Sequence, residues 1–239
     1  MAAQMFTGNQ SQNFYTVSYG YLTSKVKEIP EGFSEISVEE LKSKATNVEN
    51  LDLRQKYVKS SSENYPYAIF YDSISGRLDG LESEETNFGK VLKLSLTDSD
   101  GESSSVSMKF YSKYAENILN RLCNLDGLDN ITLSPYAIPA DMEVTENGKP
   151  KRVKYYNQGI SLYRNKNKIA AKYTYESTEI PKSERVKNHD GKMVTSRVNR
   201  IDALVDIFNT QFAKLKESSP VSEPAFVEAS SNSDDDLPF

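Results

Sequence analysis

Residues 149–200 carry fourteen lysines and arginines against four acids, Glu176, Glu179, Glu184 and Asp190. Tyr155, Tyr156, Tyr163, Tyr173 and Tyr175 are interleaved with these cations. Cations hold the phosphates of a nucleic-acid strand and flat rings stack on unpaired bases, each stacked base contributing about 1–3 kcal/mol. A lysine-rich solubilising loop shows the same charge excess but has no need of the rings, so the pattern points to single-strand binding. Side-chain alternation then selects the residues that face the ligand. Arg152, Lys154 and Tyr156 share one face of an extended segment; Lys168 and Lys172 share one face of a strand expected at 168–175, opposite Ile169, Ala171, Tyr173 and Tyr175. Tyr163 lies opposite Ile160 and Leu162 and points outward, flanked by Arg164 and Lys166. The candidate nucleic-acid-binding residues are therefore Arg152, Lys154, Tyr156, Tyr163, Arg164, Lys166, Lys168 and Lys172.

Residues for other chemistries are missing or badly placed. The one histidine, His189, sits in a polar Lys-Asn-His-Asp-Gly turn, a solvated setting rather than that of a general base. The one cysteine, Cys123, falls in the apolar pattern of an expected helix and reads as a buried, inert thiol. No zinc site is expected from one of each, and no carboxylate run has the spacing of a calcium loop. Phosphate-cradling glycine loops, nucleophile elbows and His-Glu-x-x-His are absent. Paired acids such as Glu84-Glu85 lie in a charged loop. The expectation is a chain that is not an enzyme and needs no metal or cofactor.

The formal net charge of −5 hides a segregation along the 239 residues. Residues 1–148 hold 13 basic and 22 acidic residues, whereas the stretch 149–200 has a local excess of +10. Residues 218–239 add Glu223, Glu228, Asp234, Asp235 and Asp236 with no lysine or arginine. Such sorting is the footprint of a polyanion site on one face with acidic surface elsewhere. A single cysteine suits a reducing cytoplasm. No basic residue precedes Lys25 and no run of eighteen apolar residues occurs, so neither export nor a membrane span is expected.

The elements that position these residues read mainly as strands. Residues 14–26 alternate as one strand, and a polar insertion near 30–64 contains a short helix announced by Ser37 and Glu40. Residues 67–81 form a strand that Gly76 and Gly80 bend. Leu92, Leu94 and Leu96, the turn Asp98-Ser99-Asp100-Gly101, and Val106, Met108 and Phe110 make a β-hairpin. Tyr114, Ile118, Leu119 and Leu122 recur at helical spacing, from about Ser112 to Asn124. Ile131 and Leu133 lead into Pro135 and a loop rich in Pro, Asp and Gly, followed by Ile160 and Leu162 and the turn Asn165-Lys166-Asn167. A last helix at 199–217, capped by Asn199 with Asp202 as its first-turn acid, carries Ile201, Leu204, Val205, Phe208, Phe212 and Leu215 on one stripe. Three strands, a helix between strands three and four, then further strands is the order of the OB-fold, a small Greek-key β-barrel that binds oligonucleotides, and other small barrels and α+β sandwiches share that order. The expected layout is a flexible N-terminus at 1–13, an OB-fold-like domain at 14–217 and a disordered acidic tail at 218–239.

The tail is Ser- and Pro-rich and too polar to pack. It ends in Asp234-Asp235-Asp236-Leu237-Pro238-Phe239. This ending resembles the acidic tip of bacterial single-stranded-DNA-binding proteins and their phage counterparts, an aspartate run followed by Ile-Pro-Phe. The resemblance implies an OB-fold body that coats single-stranded DNA during replication, recombination or repair. It also implies that Asp234, Asp235, Asp236, Leu237, Pro238 and Phe239 bind partner proteins such as polymerase, helicase, primase or repair factors. Leu237 in place of isoleucine, the absence of tryptophan and the long body set this chain apart from the housekeeping bacterial members. A divergent phage-encoded protein with a single OB-fold, working in the bacterial cytoplasm, is the expectation. The alternative is a recombination mediator or strand-annealing factor in which the tip is the main functional element. Association of copies with one another is compatible with either.

Overall fold

The computed structural model describes residues 13–218 except 88, 147, 148, 188–190 and 192. His189, the N-terminal residues 1–12 and the tip Asp234–Phe239 lie outside the described residues. The described chain is mainly β with three helices, one of them C-terminal. No helix among the described residues is long and apolar enough to cross a membrane.

The strand expected at 14–26 is a hairpin, β1 (Asn13–Ser18) and β2 (Tyr21–Val26). Tyr19 and Gly20 form its turn with consecutive positive φ values of 52° and 85°, the two-residue geometry whose twist matches the flanking strands. Alternation cannot show such a turn when its first residue is a tyrosine. A Cβ at Gly20 would sit 2.5 Å from the Ala137 nitrogen, so glycine is required there by space as well as by φ.

The insertion holds β3 (Ser34–Glu35), α1 (Val38–Thr46) and β4 (Lys56–Lys59). Ser37 caps α1 as expected, its Oγ accepting the Glu40 N–H at 3.0 Å. Ile36, Leu41, Leu51 and Leu53 close over Phe70 to make a small second core on the outer face of the sheet. The bent strand at 67–81 divides into β5 (Tyr67–Tyr71) and β6 (Ile74–Thr86), with a register slip between Leu78 and Gly80. The predicted hairpin is β7 (Gly89–Thr97) and β8 (Ser103–Lys109), and the predicted helix is α2 (Lys113–Leu122), capped by Ser112. α2 thus lies between the eighth and ninth strands of the chain, because the N-terminal hairpin and the insertion add strands before the helix.

The segment after Ile131, expected as a loop, is a hairpin of two long strands, β9 (Ile131–Glu146) and β10 (Lys149–Arg164). Its prolines misled the reading, and the ladder shows why they are tolerated. The Ile160 N–H turns away from β9 to Asn117 Oδ1 at 2.9 Å, so Ile160 and its partner Pro135 form a pair without ladder bonds. Pro139 and Pro150 share that parity, and none of the three occupies a position that must donate across the ladder.

The strand expected at 168–175 exists only as β11 (Asn167–Lys168). Beyond it the backbone donors go to a helix: the Lys172 N–H bonds the Asn120 carbonyl at 3.1 Å and the Tyr173 N–H bonds Asn120 Oδ1 at 2.8 Å. A separate two-stranded sheet follows, β12 (Glu184–Lys187) and β13 (Met193–Ser196), and then α3 (Val198–Ser218). Asn199 is inside α3 rather than its cap, and its amide reaches Glu184 at 3.5 Å. Ile201, Leu204 and Phe208 of the predicted stripe are buried in the main core.

The main sheet runs β11-β10-β9-β6-β7-β8-β1-β2-β5-β4-β3. The expected closed barrel is not formed among the described strands. β1 pairs in parallel with the outer edge of β8, from Asn13 opposite Ser104 to Thr16 opposite Ser107, which leaves β10 no strand to close against. Leu92, Leu94, Leu96, Val106, Ile160 and Leu162 face a single core that α2 and α3 complete.

Two measurements check this packing. Glu116 of α2 accepts Arg197 Nε at 2.9 Å and Arg200 Nε at 2.8 Å, and Arg200 is only 3% exposed. Glu116→Gln leaves that guanidinium short of a counter-charge, and calorimetry should show a loss of about 3 kcal/mol, with melting lowered by roughly 6–12 °C. Burial raises the Cys123 thiol to about 11 from an ordinary value of 9.0. The folded chain keeps a proton that the unfolded chain releases, so this contribution to stability is complete below about pH 9. It falls away between pH 9 and about 11, and in urea titrations Cys123→Ala should lose less stability over that range than the parent chain.

Candidate nucleic-acid interface

β10 positions most of the predicted residues, but not as one cluster. Arg152, Lys154 and Tyr156 share a face on the outer half of the β9–β10 ribbon, as alternation required. Tyr163, Arg164, Lys166 and Lys168 gather at the other end, around the Asn165-Lys166 turn. Twelve strand positions separate Arg152 from Arg164, a span of roughly 40 Å.

Their surroundings also differ from expectation. Across the ladder Arg152 faces Glu143 and Lys154 faces Asp141, so this face carries opposed charges rather than a cationic stripe. Tyr156 is half-buried against the small core, and its hydroxyl donates to the Glu49 carbonyl at 2.7 Å. Burial, and then the Glu49 carboxylate, raise its phenol pKa. Tyr156 is an anchor between the ribbon and the end of α1. Arg164 pairs with Asp126 at 2.7 Å. Lys166 is exposed and, with Arg77, borders an open polar cleft of about 670 Å³. Lys168 is exposed, and the exposed Lys172 lies 5.6 Å from the ring centroid of the buried Tyr173.

The opposite face of the ribbon is mainly apolar, with Lys151 and Asn157 at its ends. Ile138, Ala140, Met142 and Val144 of β9 share it with Val153 and Tyr155 of β10, and Ile138 is 58% exposed. Tyr155 does not stand alone there: the Lys113 ammonium lies 5.4 Å from its ring centroid.

This contact marks a corner that sequence reasoning missed. β8 ends, α2 begins and β10 passes alongside. The Phe110 N–H bonds the Lys90 carbonyl at 3.0 Å, and the Lys90 ammonium stands 4.1 Å from the Phe110 ring. The exposed Tyr111 ring meets Phe110 edge-on at 4.9 Å. Lys113, at the positive end of α2, is thus the cation beside Tyr155, and the exposed Tyr111 precedes it by two residues. Glu116, the acid of the first turn of α2, is neutralised by Arg197 and Arg200. The run Lys109-Phe110-Tyr111-Ser112-Lys113 carried the legible signal, cations interleaved with rings, outside the lysine-rich segment.

From this corner a hydroxyl-rich face extends over β7, β8 and β1. Ser95, Thr97, Ser107 and Thr16 point away from the core beside Lys93, Lys109 and Phe14, with Ser105 buried among them, and Phe14 is 61% exposed. Lys93 is paired with Glu84. The face offers hydrogen bonds, one free ring and a cationic end, a surface suited to a phosphodiester strand with splayed bases.

The adjacent Tyr155 and Tyr156 of β10 are separable by experiment. Tyr156→Phe removes an anchoring hydrogen bond, so urea denaturation should show a loss of about 1 kcal/mol, while affinity for single-stranded oligonucleotides stays unchanged. No protein-family model, curated protein or solved structure matches this chain.

Proposed function

We propose that this chain binds single-stranded DNA, without catalysing a reaction on it, and recruits replication or repair proteins through its C-terminal tip. The observation that carries the reading is the Lys113 ammonium over the Tyr155 ring, with the exposed Tyr111 two residues before it in the chain, where β8 gives way to α2 at the edge of an open, hydroxyl-bearing sheet face. The order β6-β7-β8, α2, β9-β10 supports it, with ladders β6–β7, β7–β8, β6–β9 and β9–β10. We read this core as a divergent OB-fold opened by β1, in which β7 and β8 are the strands that face the oligonucleotide and the β9–β10 ribbon is the enlarged loop beside them.

The sequence Asp234-Asp235-Asp236-Leu237-Pro238-Phe239 supports the recruiting role. The Phe239 ring suits an apolar pocket with a basic rim, and the aspartates steer encounter. A phage-encoded protein acting in the bacterial cytoplasm is the setting we propose. The exposed apolar face of the ribbon keeps a second reading open, an annealing factor that assembles into rings.

Titration with oligo-dT should quench tyrosine fluorescence, with affinity falling as salt rises, and single strands should be preferred to duplex. Tyr155→Ala should weaken binding roughly 5- to 100-fold, the value of one stacked base. A chain truncated after Glu217 should still quench, because the binding surface belongs to the body.

A further inference from the structure

The β12–β13 hairpin belongs to no other sheet, and its four rungs run from Glu184 opposite Ser196 to Lys187 opposite Met193. Every residue of β12 is exposed, and Val186, Val194 and Met193 remain 38%, 40% and 49% exposed. A two-stranded hairpin with both faces in water buries too little to be stable alone. The arm nevertheless carries apolar and cationic side chains together. Val186 and Val194 are paired on one face, and Arg185 and Lys187 flank Met193 on the other.

Its root fixes where it stands. β13 ends at Ser196, and the next residue, Arg197, is bound by Glu116. Lys113, the residue over the Tyr155 ring, lies one helical turn before Glu116. The arm therefore springs from beside the cationic and aromatic corner. One acid, Glu184, is present in its described strands, and it faces the Asn199 amide.

We propose that the β12–β13 hairpin is a clasp for the nucleic-acid strand, with Arg185 and Lys187 on phosphates and Met193, on the same face, against sugars and bases. A negatively charged, partly apolar strand suits both sets of side chains, and the bound strand supplies the second surface that the hairpin lacks. This inference rests on the single-strand reading above.

The test compares the full chain with R185S/K187S in oligo-dT titrations at several salt concentrations, together with trypsin digestion in the presence and absence of the oligonucleotide. Each lost phosphate contact lowers the salt slope by about 0.7, so the double variant should show a slope smaller by about 1.4. Bound oligonucleotide should also slow cleavage after Arg185 and Lys187. An intact chain that binds, with a slope unchanged in the variant and cleavage unprotected, overturns the clasp and leaves the single-strand reading standing. An intact chain with no affinity for oligo-dT overturns that reading itself. A variant whose only change is in sedimentation identifies the arm as a contact between copies and also overturns the clasp.

Discussion

A buried backbone N–H or C=O must find a partner, and in this molecule one short helix supplies many of the partners that the sheet does not. Tyr114 of α2 accepts the Gly20 N–H of the first hairpin turn. Asn117 accepts the Ile160 N–H on the edge of β10. Asn120 bonds both the N–H and the C=O of Tyr173, and Arg121 bonds the Ile169 carbonyl. Glu116 collects Arg197 and Arg200, and Arg200 in turn holds the carbonyls of Pro181 and Thr174. The apolar stripe of α2 fills the core, while its polar side chains end strands and start loops.

The open sheet follows from that arrangement. With β1 on the edge of β8 and the Ile160 N–H of β10 turned to a helix side chain, the sheet has no ladder left with which to close. The opening leaves the outer half of the β9–β10 ribbon projecting and sets α2 between β8 and β10. It also brings Lys113 of α2 over Tyr155 of β10, while Lys90 of β7 stands over Phe110 at the end of β8.

Charge that is clustered along a chain need not be clustered in space. Arg152 and Lys154 belong to the most basic stretch, yet β9 returns along β10 and sets Glu143 and Asp141 directly opposite them. Those acids stood in the stretch 1–148 that sequence accounting treated as a separate, acidic half. Most of the lysines that stand over rings, Lys27, Lys90, Lys113 and Lys216, lie outside the basic stretch, because the fold rather than the local count decides which side chains share a surface.

The sequence alone determined what short-range periodicity and turn chemistry encode. The β7–β8 hairpin, the Ser112 and Ser37 caps, the stripe of α3 and the burial of Cys123 were all legible there, since each depends on side chains within a few residues of one another. Tertiary structure decided everything that depends on pairing across the chain. The turn at Tyr19-Gly20 needs room made by Ala137, and the prolines of β9 are tolerated only through the parity of their ladder. The strand expected after Lys168 is lost to Asn120, a residue some fifty positions away whose amide outcompetes a sheet neighbour. The corner of lysines and tyrosines exists only because a helix and two strands, far apart in sequence, end or pass at the same place. Periodicity reports which face of an element is buried; only the folded chain reports what lies against it.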